Sequence, residues 1–173
     1  EPENHVPLSR WVEARGLSAH LEVADHGPRA HSEENRKNSA CFLCSLLRRK
    51  RLFELCRRYR LTHLALGHNA DDLTSTFFLN LFQNGRVEGM SPRQDFFQGN
   101  LTVIRPMLWL EKSVIGRACR SWELPTWTNP CPTAKTGKRS QVNQWVELFP
   151  GRDKRVKQNI LNALRRNITK TFT

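Results

Sequence analysis

The sequence has no run of about 18 apolar residues, so it offers no candidate transmembrane helix and we expect no membrane partner. It has no secretory signal peptide, and it contains neither internal repeats nor low-complexity stretches. An initiating methionine is absent as well, since the chain begins at Glu1. We therefore expect a processed or trimmed piece of a longer protein.

Acidic residues are scarce: 16 Asp and Glu stand against 28 Lys and Arg, which gives a formal net charge of +12. An evenly mixed, solvated surface would not have this excess of cations, so the composition predicts a polyanionic partner, most simply nucleic acid. A basic surface with no partner is the alternative. Contacts of this kind with phosphates are sensitive to salt and largely independent of base sequence.

The basic residues concentrate in two segments, one over 48–60 and the other after residue 135. We predict that the two segments form one phosphate-binding face. Its candidate residues are Arg48, Arg49, Arg51, Arg57, Arg58, Lys138, Arg139, Arg155 and Lys157.

Cysteine is sparse, with five residues in the chain. An odd number without a secretory signal argues against a disulfide framework and favours a cytoplasmic location. Cys41 and Cys44 form a CxxC motif, and Cys131 lies far downstream between two prolines. Cys56 and Cys119 fall inside helical patterns and are predicted to be small buried apolar residues.

Apolar periodicity predicts strands that alternate with helices, as in a layered α/β fold with a mainly parallel sheet. Strands are predicted over 17–24, 61–66 and 101–104, and helices over 7–15, 41–59, 71–83, 111–122, 138–148 and 153–167. Residues 26–40 are predicted to form a loop and residues 85–100 an irregular connection. We expect an α/β domain over 1–130 and a basic helical extension over 131–173.

The stretch LGHNADD, residues 66–72, joins a predicted buried strand to a predicted helix. Ligands of α/β sheets bind at this kind of strand end. Gly67 permits close backbone approach, and His68 can donate or accept a proton near a phosphate. Asp71 and Asp72 offer adjacent carboxylates for magnesium or for orienting a nucleotide. Alternatively, the two aspartates only cap the helix and complement its dipole.

Several motifs together resemble one known family. LGHNADD is similar to the GHHxDD motif, and Arg105-Pro106 to the RP element, of PP-loop ATP pyrophosphatases that modify tRNA. The CxxC motif before an arginine-rich helix, with Pro130-Cys131 downstream, resembles the tRNA 2-thiocytidine synthetase (TtcA-like) branch. The resemblance runs from about residue 5 to about residue 150, and the order of the motifs makes it specific.

This resemblance implies an adenine nucleotide alpha hydrolase-like (HUP/Rossmann-like) fold and an ATP-dependent tRNA sulfurtransferase. ATP would adenylate the target cytidine with release of pyrophosphate, magnesium would neutralise the phosphates, and a sulfur species would then displace AMP. The implied partners are tRNA and a sulfur donor of the cysteine desulfurase type. The implied roles are catalysis for His68, Asp71 and Asp72, nucleotide binding for Gly67, His68 and Arg105, and ligation of a 4Fe–4S cluster for Cys41, Cys44 and Cys131.

The sequence departs from the family pattern at three places. The SGGxDS loop, which binds the pyrophosphate of ATP in the family, is absent, and we expect this loop and its strand to precede Glu1. The 173 residues alone should therefore bind ATP weakly. Asn69 replaces the second histidine of the motif, and Pro132-Thr133-Ala134 stands where the family has a further cysteine. A missing strand would leave an exposed sheet edge, which could drive formation of a homodimer.

Other interpretations of the same motifs stay open. The three cysteines and a fourth ligand such as histidine could hold a structural zinc ion. Cys41 and Cys44 could form a disulfide, or all three could be free thiols after loss of a cluster. The whole chain could be a tRNA-binding module without catalysis. A PP-loop ligase of the lysidine-forming type is less favoured, because that ligase needs no cluster.

Overall fold

The protein is described from a computed structural model, which covers residues 5–36, 39–127, 129–148 and 154–170. The helices are α1 (Val6–Glu13), α2 (His26–His31), α3 (Ala40–Arg58), α4 (Ala70–Asn84), α5 (Lys112–Ser121), α6 (Lys138–Leu148) and α7 (Lys154–Lys170). The strands are β1 (His63–Ala65), β2 (Arg93–Phe96) and β3 (Leu101–Ile104). The chain therefore combines helices with a small sheet that contains a parallel pair of strands, which confirms the predicted α/β class. Within the described residues, no helix has the length and apolar character needed to cross a membrane.

The three strands form one sheet in the order β1-β3-β2. β1 runs parallel to β3, with Ala65 opposite Ile104, whereas β2 runs antiparallel to β3. The central strand β3 is buried over Leu101, Thr102 and Val103, because it has a neighbour on each edge. The sheet is thus mixed, with one parallel and one antiparallel pair of strands.

The predictions of a loop over 26–40 and of an irregular connection over 85–100 are both partly wrong. α2 lies within 26–40, and β2 lies within 85–100. The sequence of β2 begins Arg-Gln-Asp and shows no apolar alternation, so its strand conformation comes from pairing with β3. The side chains take part in this pairing, since the hydroxyl of Thr102 donates a hydrogen bond to Asp95 Oδ1 at 2.7 Å.

The predicted strand over 17–24 is also wrong. All eight residues are described, and they form neither strand nor helix. Leu21 and Val23 are exposed, so the alternation of apolar residues does not mark a buried face here. The polar position between them is fixed by a side-chain contact instead, because Glu22 accepts a hydrogen bond from Arg51 Nε of α3 at 2.7 Å.

The chain divides into two compact units. Unit 1 comprises Glu1–Leu52 and Ser113–Ala134, and unit 2 comprises Phe53–Lys112 and Lys135–Thr173. The CxxC motif and Cys131 belong to unit 1, whereas the sheet, α4, α6 and α7 belong to unit 2. The proposed division into an α/β domain over 1–130 and a basic extension over 131–173 stays a prediction.

The core of unit 2 lies where α4 meets α7. Leu73 of α4 and Leu164 of α7 pack with Leu108, and all three are buried. Partly buried apolar side chains surround this cluster: Phe77, Met90, Trp109, Ile160 and Ile168. The apolar residues of α7 recur at intervals of four, which gives the helix one apolar face. The basic C-terminal helix is thus anchored in the core while Arg165 and Arg166 stay exposed.

Gly89 is held against this core, and its substitution should destabilise the protein. A Cβ atom at Gly89 would lie 2.8 Å from Leu73 Cδ1 and 3.8 Å from Ile168 Cδ1. Because Leu73 is completely buried, its methyl group has little room to move. We expect Gly89→Ala to lower the free energy of unfolding by about 1–3 kcal/mol in denaturant titrations.

Gly27 of α2 provides the matched control. Apart from its chain neighbours and the backbone of its own helix, no atom of the described residues lies within 4 Å of a Cβ placed there. Gly27→Ala should therefore change the free energy of unfolding by less than about 0.5 kcal/mol or stabilise the helix slightly. Equal stabilities of the two variants would contradict the close contact at Gly89.

Candidate cysteine group and candidate nucleotide site

Cys41 and Cys131 lie together in unit 1, although they are far apart in the sequence. The hydroxyl oxygen of Thr133 lies 3.2 Å from Cys41 Sγ and 3.3 Å from Cys131 Sγ. One hydroxyl is therefore within hydrogen-bond distance of both sulfur atoms. The two sulfur atoms can be no farther apart than the sum of these two distances.

Local structure fixes each of these cysteines. Cys41 is the second residue of α3 and is exposed, and Cys44 follows almost one turn later and is half-buried. Residues three apart lie on the same side of a helix, so both thiols can face one group. Cys131 is held by a short turn, in which its backbone N–H donates to Asn129 Oδ1 at 3.0 Å and its carbonyl accepts from the Ala134 N–H at 3.0 Å.

All five cysteines are free thiols, so Cys41 and Cys44 do not form a disulfide in this structure. Cys56 is buried, as its place in a helical pattern suggests, and burial raises the pKa of its thiol. In the part of the chain that the structure describes, no three side chains of His, Cys, Asp or Glu are grouped to hold a single metal ion. The three-cysteine ligand set therefore stays a prediction.

The candidate nucleotide site lies in unit 2, at the carboxyl ends of β1 and β3. Because these strands are parallel, with Ala65 opposite Ile104, the residues that follow them lie at the same edge of the sheet. The Leu66 N–H donates to the Ile104 carbonyl at 2.9 Å and continues the pairing past β1. The LGHNADD and RP elements, with Gly67, His68 and Arg105, are thereby brought to one edge.

Asn69, which replaces a histidine of the family motif, is the N-cap of α4. Its Oδ1 accepts hydrogen bonds from the backbone N–H of Asp71 at 2.9 Å and of Asp72 at 3.2 Å. Asp72 reciprocates, since its Oδ2 accepts from the Asn69 N–H at 3.1 Å. These bonds form a capping box, so Asp72 stabilises the start of α4 independently of any role in catalysis. Its other oxygen lies 3.8 Å from Arg139 Nη1.

Asp71 is the most connected carboxylate of the site. Its Oδ1 accepts from Lys157 Nζ of α7 at 2.7 Å, and its Oδ2 accepts from the backbone N–H of Lys112 at 2.8 Å. Lys157 Nζ also lies 3.5 Å from Glu111 Oε2. Burial raises the pKa of Asp71, but the hydrogen bonds from Lys157 and Lys112 outweigh burial and leave the pKa below its ordinary value. Asp71 is therefore held as a carboxylate.

The contacts of Gly67 and Arg105 can be explained by the fold alone. A Cβ at Gly67 would lie 3.7 Å from Met107 Cε, an ordinary contact distance. Arg105 Nη1 donates to the Ser91 carbonyl at 2.6 Å, and the Arg105 N–H donates to the Pro92 carbonyl at 2.9 Å. Arg105 thus fixes the segment that leads into β2. Nucleotide binding by both residues stays a prediction.

The predicted phosphate-binding cations differ in their surroundings. Arg48 and Arg49 are exposed and form no ion pair with any described residue. Arg51 is paired with Glu22, and this pairing, with the hydrogen bond from His20, lowers the pKa of Glu22 to about 2. Among the C-terminal candidates, Lys157 and Arg139 face Asp71 and Asp72. Part of the positive charge is thus balanced within the protein.

Thr133 is the residue of the cysteine group that sequence reasoning missed. A threonine next to a cysteine matches no ligand pattern, and its role depends on a contact with Cys41 that lies far away in the sequence. The departure from the family pattern at Pro132-Thr133-Ala134 was the only sequence signal at this place.

The model of one protein family, described as a PP-loop domain, matches residues 33–140. The chain belongs to the PP-loop family. It is 33% identical over 164 residues to a tRNA-cytidine(32) 2-sulfurtransferase of Bordetella pertussis, with 92% of this chain and 50% of the relative covered. A protein of the same name from Geobacter sulfurreducens is 30% identical over 159 residues, with 91% of this chain and 62% of the relative covered. The chain thus spans half to somewhat under two thirds of the length of these relatives.

A solved structure agrees with the fold of this PP-loop chain. The U34-tRNA thiolase NcsA from Methanococcus maripaludis, determined with its 4Fe–4S cluster, superposes with a TM-score of 0.71 at 19% sequence identity. The superposition covers 94% of this chain and 55% of the thiolase. At this level of identity the likeness establishes the fold alone, and it confirms the predicted α/β architecture.

The bond between Asp71 and Lys157 should make the stability of the protein depend on pH. Burial lowers the pKa of Lys157, but its bonds to Asp71 and Glu111 raise the pKa above the ordinary value. A depressed Asp pKa stabilises the fold above the unfolded-state pKa, and this contribution disappears as the pH falls through the folded-state pKa. The raised Lys pKa stabilises the fold below its unfolded-state pKa, and this contribution disappears as the pH rises through the folded-state pKa.

We therefore expect Lys157→Gln to lower the free energy of unfolding by about 1–3 kcal/mol at pH 7, since a charged hydrogen bond is lost at a half-buried site. The difference from the unsubstituted chain should shrink below the ordinary Asp pKa of about 3.9. Lys112→Gln is the control, because Lys112 donates to Asp71 through its backbone and its side chain is exposed. A Lys157→Gln effect of the same size at pH 7 and pH 2 would show that the ion pair is not its cause.

Proposed function

We propose that this chain is the cluster-binding and tRNA-binding part of an ATP-dependent sulfurtransferase that thiolates a cytidine of tRNA. The observation that carries the proposal is the meeting of Cys41 and Cys131 at one hydroxyl, in a chain of the PP-loop family. The names of the relatives support the substrate, since the two relatives described above are called tRNA-cytidine(32) 2-sulfurtransferase.

The proposed ligands of a 4Fe–4S cluster are Cys41, Cys44 and Cys131. The donor set fits such a group, because thiolates are the ligands that iron–sulfur clusters prefer and two of the three sulfur atoms lie around one hydroxyl. When bound, the cluster would supply an iron that no side chain ligates, suited to sulfur chemistry. The hydroxyl of Thr133 would donate a hydrogen bond to a cysteine sulfur, which would restrict the orientation of that cysteine side chain.

The proposed ATP site is the edge of the sheet where β1 and β3 end. His68 would hydrogen-bond a phosphate, Arg105 would add positive charge, and Gly67 would leave the backbone accessible. Asp71 and Asp72 are proposed as the catalytic carboxylates that bind magnesium, the hard cation that carboxylate oxygens suit. Their present partners, Lys157 and the capping box, keep these carboxylates ionised and oriented.

The proposed tRNA contacts are the basic residues named from the sequence, of which Arg48, Arg49, Arg57 and Arg58 are exposed. A sulfur donor of the cysteine desulfurase type, a cytoplasmic location and a homodimer belong to the same proposal. The odd number of cysteines supports a reducing compartment.

A tRNA-binding module without catalysis is the second candidate. One observation favours it: both aspartates of the motif have structural partners, Asp72 in the capping box and Asp71 at Lys157. The two candidates differ at the cysteines, because a module that only binds tRNA needs no iron.

A measurement of iron binding distinguishes the sulfurtransferase from the tRNA-binding module. After anaerobic reconstitution with iron and sulfide, the chain should hold about four irons and show the broad visible absorption of a 4Fe–4S cluster. Cys131→Ala should lose the iron, because the remaining two thiols cannot hold the cluster. The measurement is iron and acid-labile sulfide per chain, with the absorption spectrum.

Cys119→Ala is the matched control, because Cys119 is a half-buried free thiol on α5, where nothing suggests a ligand role. It should keep the full iron content. Binding of one zinc and no iron by the anaerobic chain would reject the cluster and favour the structural zinc ion. Full iron content in Cys131→Ala would reject Cys131 as a ligand.

The proposed phosphate contacts predict salt-dependent binding of tRNA. Arg48→Gln should weaken binding by about 1 kcal/mol and lower the slope of log K against log salt concentration by about 1, as expected for loss of one phosphate contact. Arg51→Gln should change the slope less, because Glu22 already neutralises Arg51. Filter binding or fluorescence anisotropy at several salt concentrations gives both values. Affinity of the unsubstituted chain that does not change with salt would contradict the tRNA-binding proposal.

A further inference from the structure

A groove on unit 2 lies between α4 and α6, and its lining shares no residue with the cysteine group or with the motifs at the sheet edge. Its volume is about 520 Å³, within the range of about 300–1,000 Å³ typical of ligand sites. Four kinds of side chain line it, aromatic, aliphatic, amide and cationic: Phe82, Gln83, Lys138, Gln141, Val142 and Trp145. No role proposed above uses this combination.

The aromatic wall of the groove is exposed and well supported. Phe82 is 57% exposed and Trp145 is 44% exposed, although both are large apolar side chains. Their ring centroids are 5.6 Å apart, and Phe78 packs against both, at 5.6 Å from Phe82 and 5.4 Å from Trp145. Rings that support one another in this way lose little conformational freedom when a flat ligand stacks on them.

The two helices that carry these rings are fixed to each other. Val142 is buried between them, and the hydroxyl of Ser75 donates a hydrogen bond to Asn143 Oδ1. The groove is thus a formed feature of unit 2, and its shape does not depend on a loop.

The rest of the groove is polar and positively charged. Gln83 and Gln141 each offer an amide donor and an amide acceptor, the groups that hydrogen-bond the edge of a nucleobase. Lys138 Nζ lies 3.4 Å from Gln83 Oε1, which places a cation at the amide side of the groove. Lys138 is also the first residue of α6, where backbone N–H groups favour an anion.

We propose that this groove binds an unpaired nucleobase of an RNA. The base stacks on the face of Trp145, while Phe82, whose ring is at 85° to Trp145, contacts the base from the side. The edge of the base bonds to Gln83 or Gln141, and a neighbouring phosphate contacts Lys138. This inference rests on the proposed function, which makes RNA the substrate, and assigns the recognition of an unpaired nucleotide to residues outside the thiolation chemistry.

Charge decides between an RNA and a protein as the occupant. The chain has a net charge of +12, so a polyanion is attracted to it. An apolar protein helix in the groove would bury Lys138 without a counter-charge, which is costly. A nucleotide satisfies the aromatic, amide and cationic groups together.

The test uses the 173-residue chain and two RNA probes. One is a stem-loop with seven unpaired loop nucleotides, and the other is a fully paired duplex with the same number of phosphates. Trp145→Ala should lower affinity for the stem-loop about 5- to 150-fold, the effect of losing one stacked base, and leave duplex affinity unchanged. Trp145→Phe should retain most of the affinity, because phenylalanine still stacks.

Trp122→Ala is the matched control, because Trp122 is an exposed tryptophan that belongs to unit 1. The Trp122→Ala variant should bind both probes with the affinity of the unsubstituted chain. Equal losses for stem-loop and duplex in both Trp145 variants would overturn the base site. Dissociation of a dimer by Trp145→Ala in sedimentation experiments would also overturn it, because a second copy would then occupy the groove. If every variant binds the stem-loop and the duplex with the same affinities and salt dependence as the unsubstituted chain, this inference is wrong. The tRNA binding of the proposed function would then still stand. If the unsubstituted chain binds neither probe, the proposed function itself is wrong.

Discussion

The parallel pairing of β1 with β3 is the constraint on which the candidate nucleotide site depends. Because Ala65 pairs with Ile104, the turn into α4 and the segment after β3 leave the sheet at the same edge. Two further bonds join these segments: the Ala70 N–H donates to the Leu110 carbonyl at 2.9 Å, and the Lys112 N–H donates to Asp71. A slip in register between the strands would therefore separate the LGHNADD and RP elements and also break the start of α4.

Asp71 shows how one side chain can serve both the fold and a proposed reaction. It joins α4 to Lys112, the first residue of α5, and, through Lys157, to α7. A carboxylate that is half-buried and bonded twice costs little to keep ionised, since its hydrogen bonds replace those of water. The same bonds mean that loss of Asp71 would affect stability as well as activity, so a loss of activity in an Asp71 variant would not identify a catalytic role by itself.

The parts of the structure that follow from the sequence are those that local periodicity determines. α3, α4, α6 and β3 lie within a residue or two of their predicted bounds, because each has a regular apolar pattern or a clear end such as Gly85. β2 could not be predicted from Arg-Gln-Asp-Phe, since its pairing with β3 decides its conformation. The same limit applies to the cysteine group. The CxxC spacing is visible in the sequence, whereas the hydroxyl of Thr133 between Cys41 and Cys131 is a long-range contact that no spacing reports.

The net charge also needs the structure for its interpretation. Lys157, Arg139 and Arg51 are balanced by Asp71, Asp72 and Glu22, so the accessible charge lies with other cations such as Arg48 and Arg49. Contacts of free arginines with phosphates release counterions and weaken as salt rises. Stacking of a base on an aromatic ring buries apolar surface and depends much less on salt. Recognition of RNA by this chain would thus have two physically separable components, a salt-dependent attraction of the backbone and a largely salt-independent selection of an unpaired base.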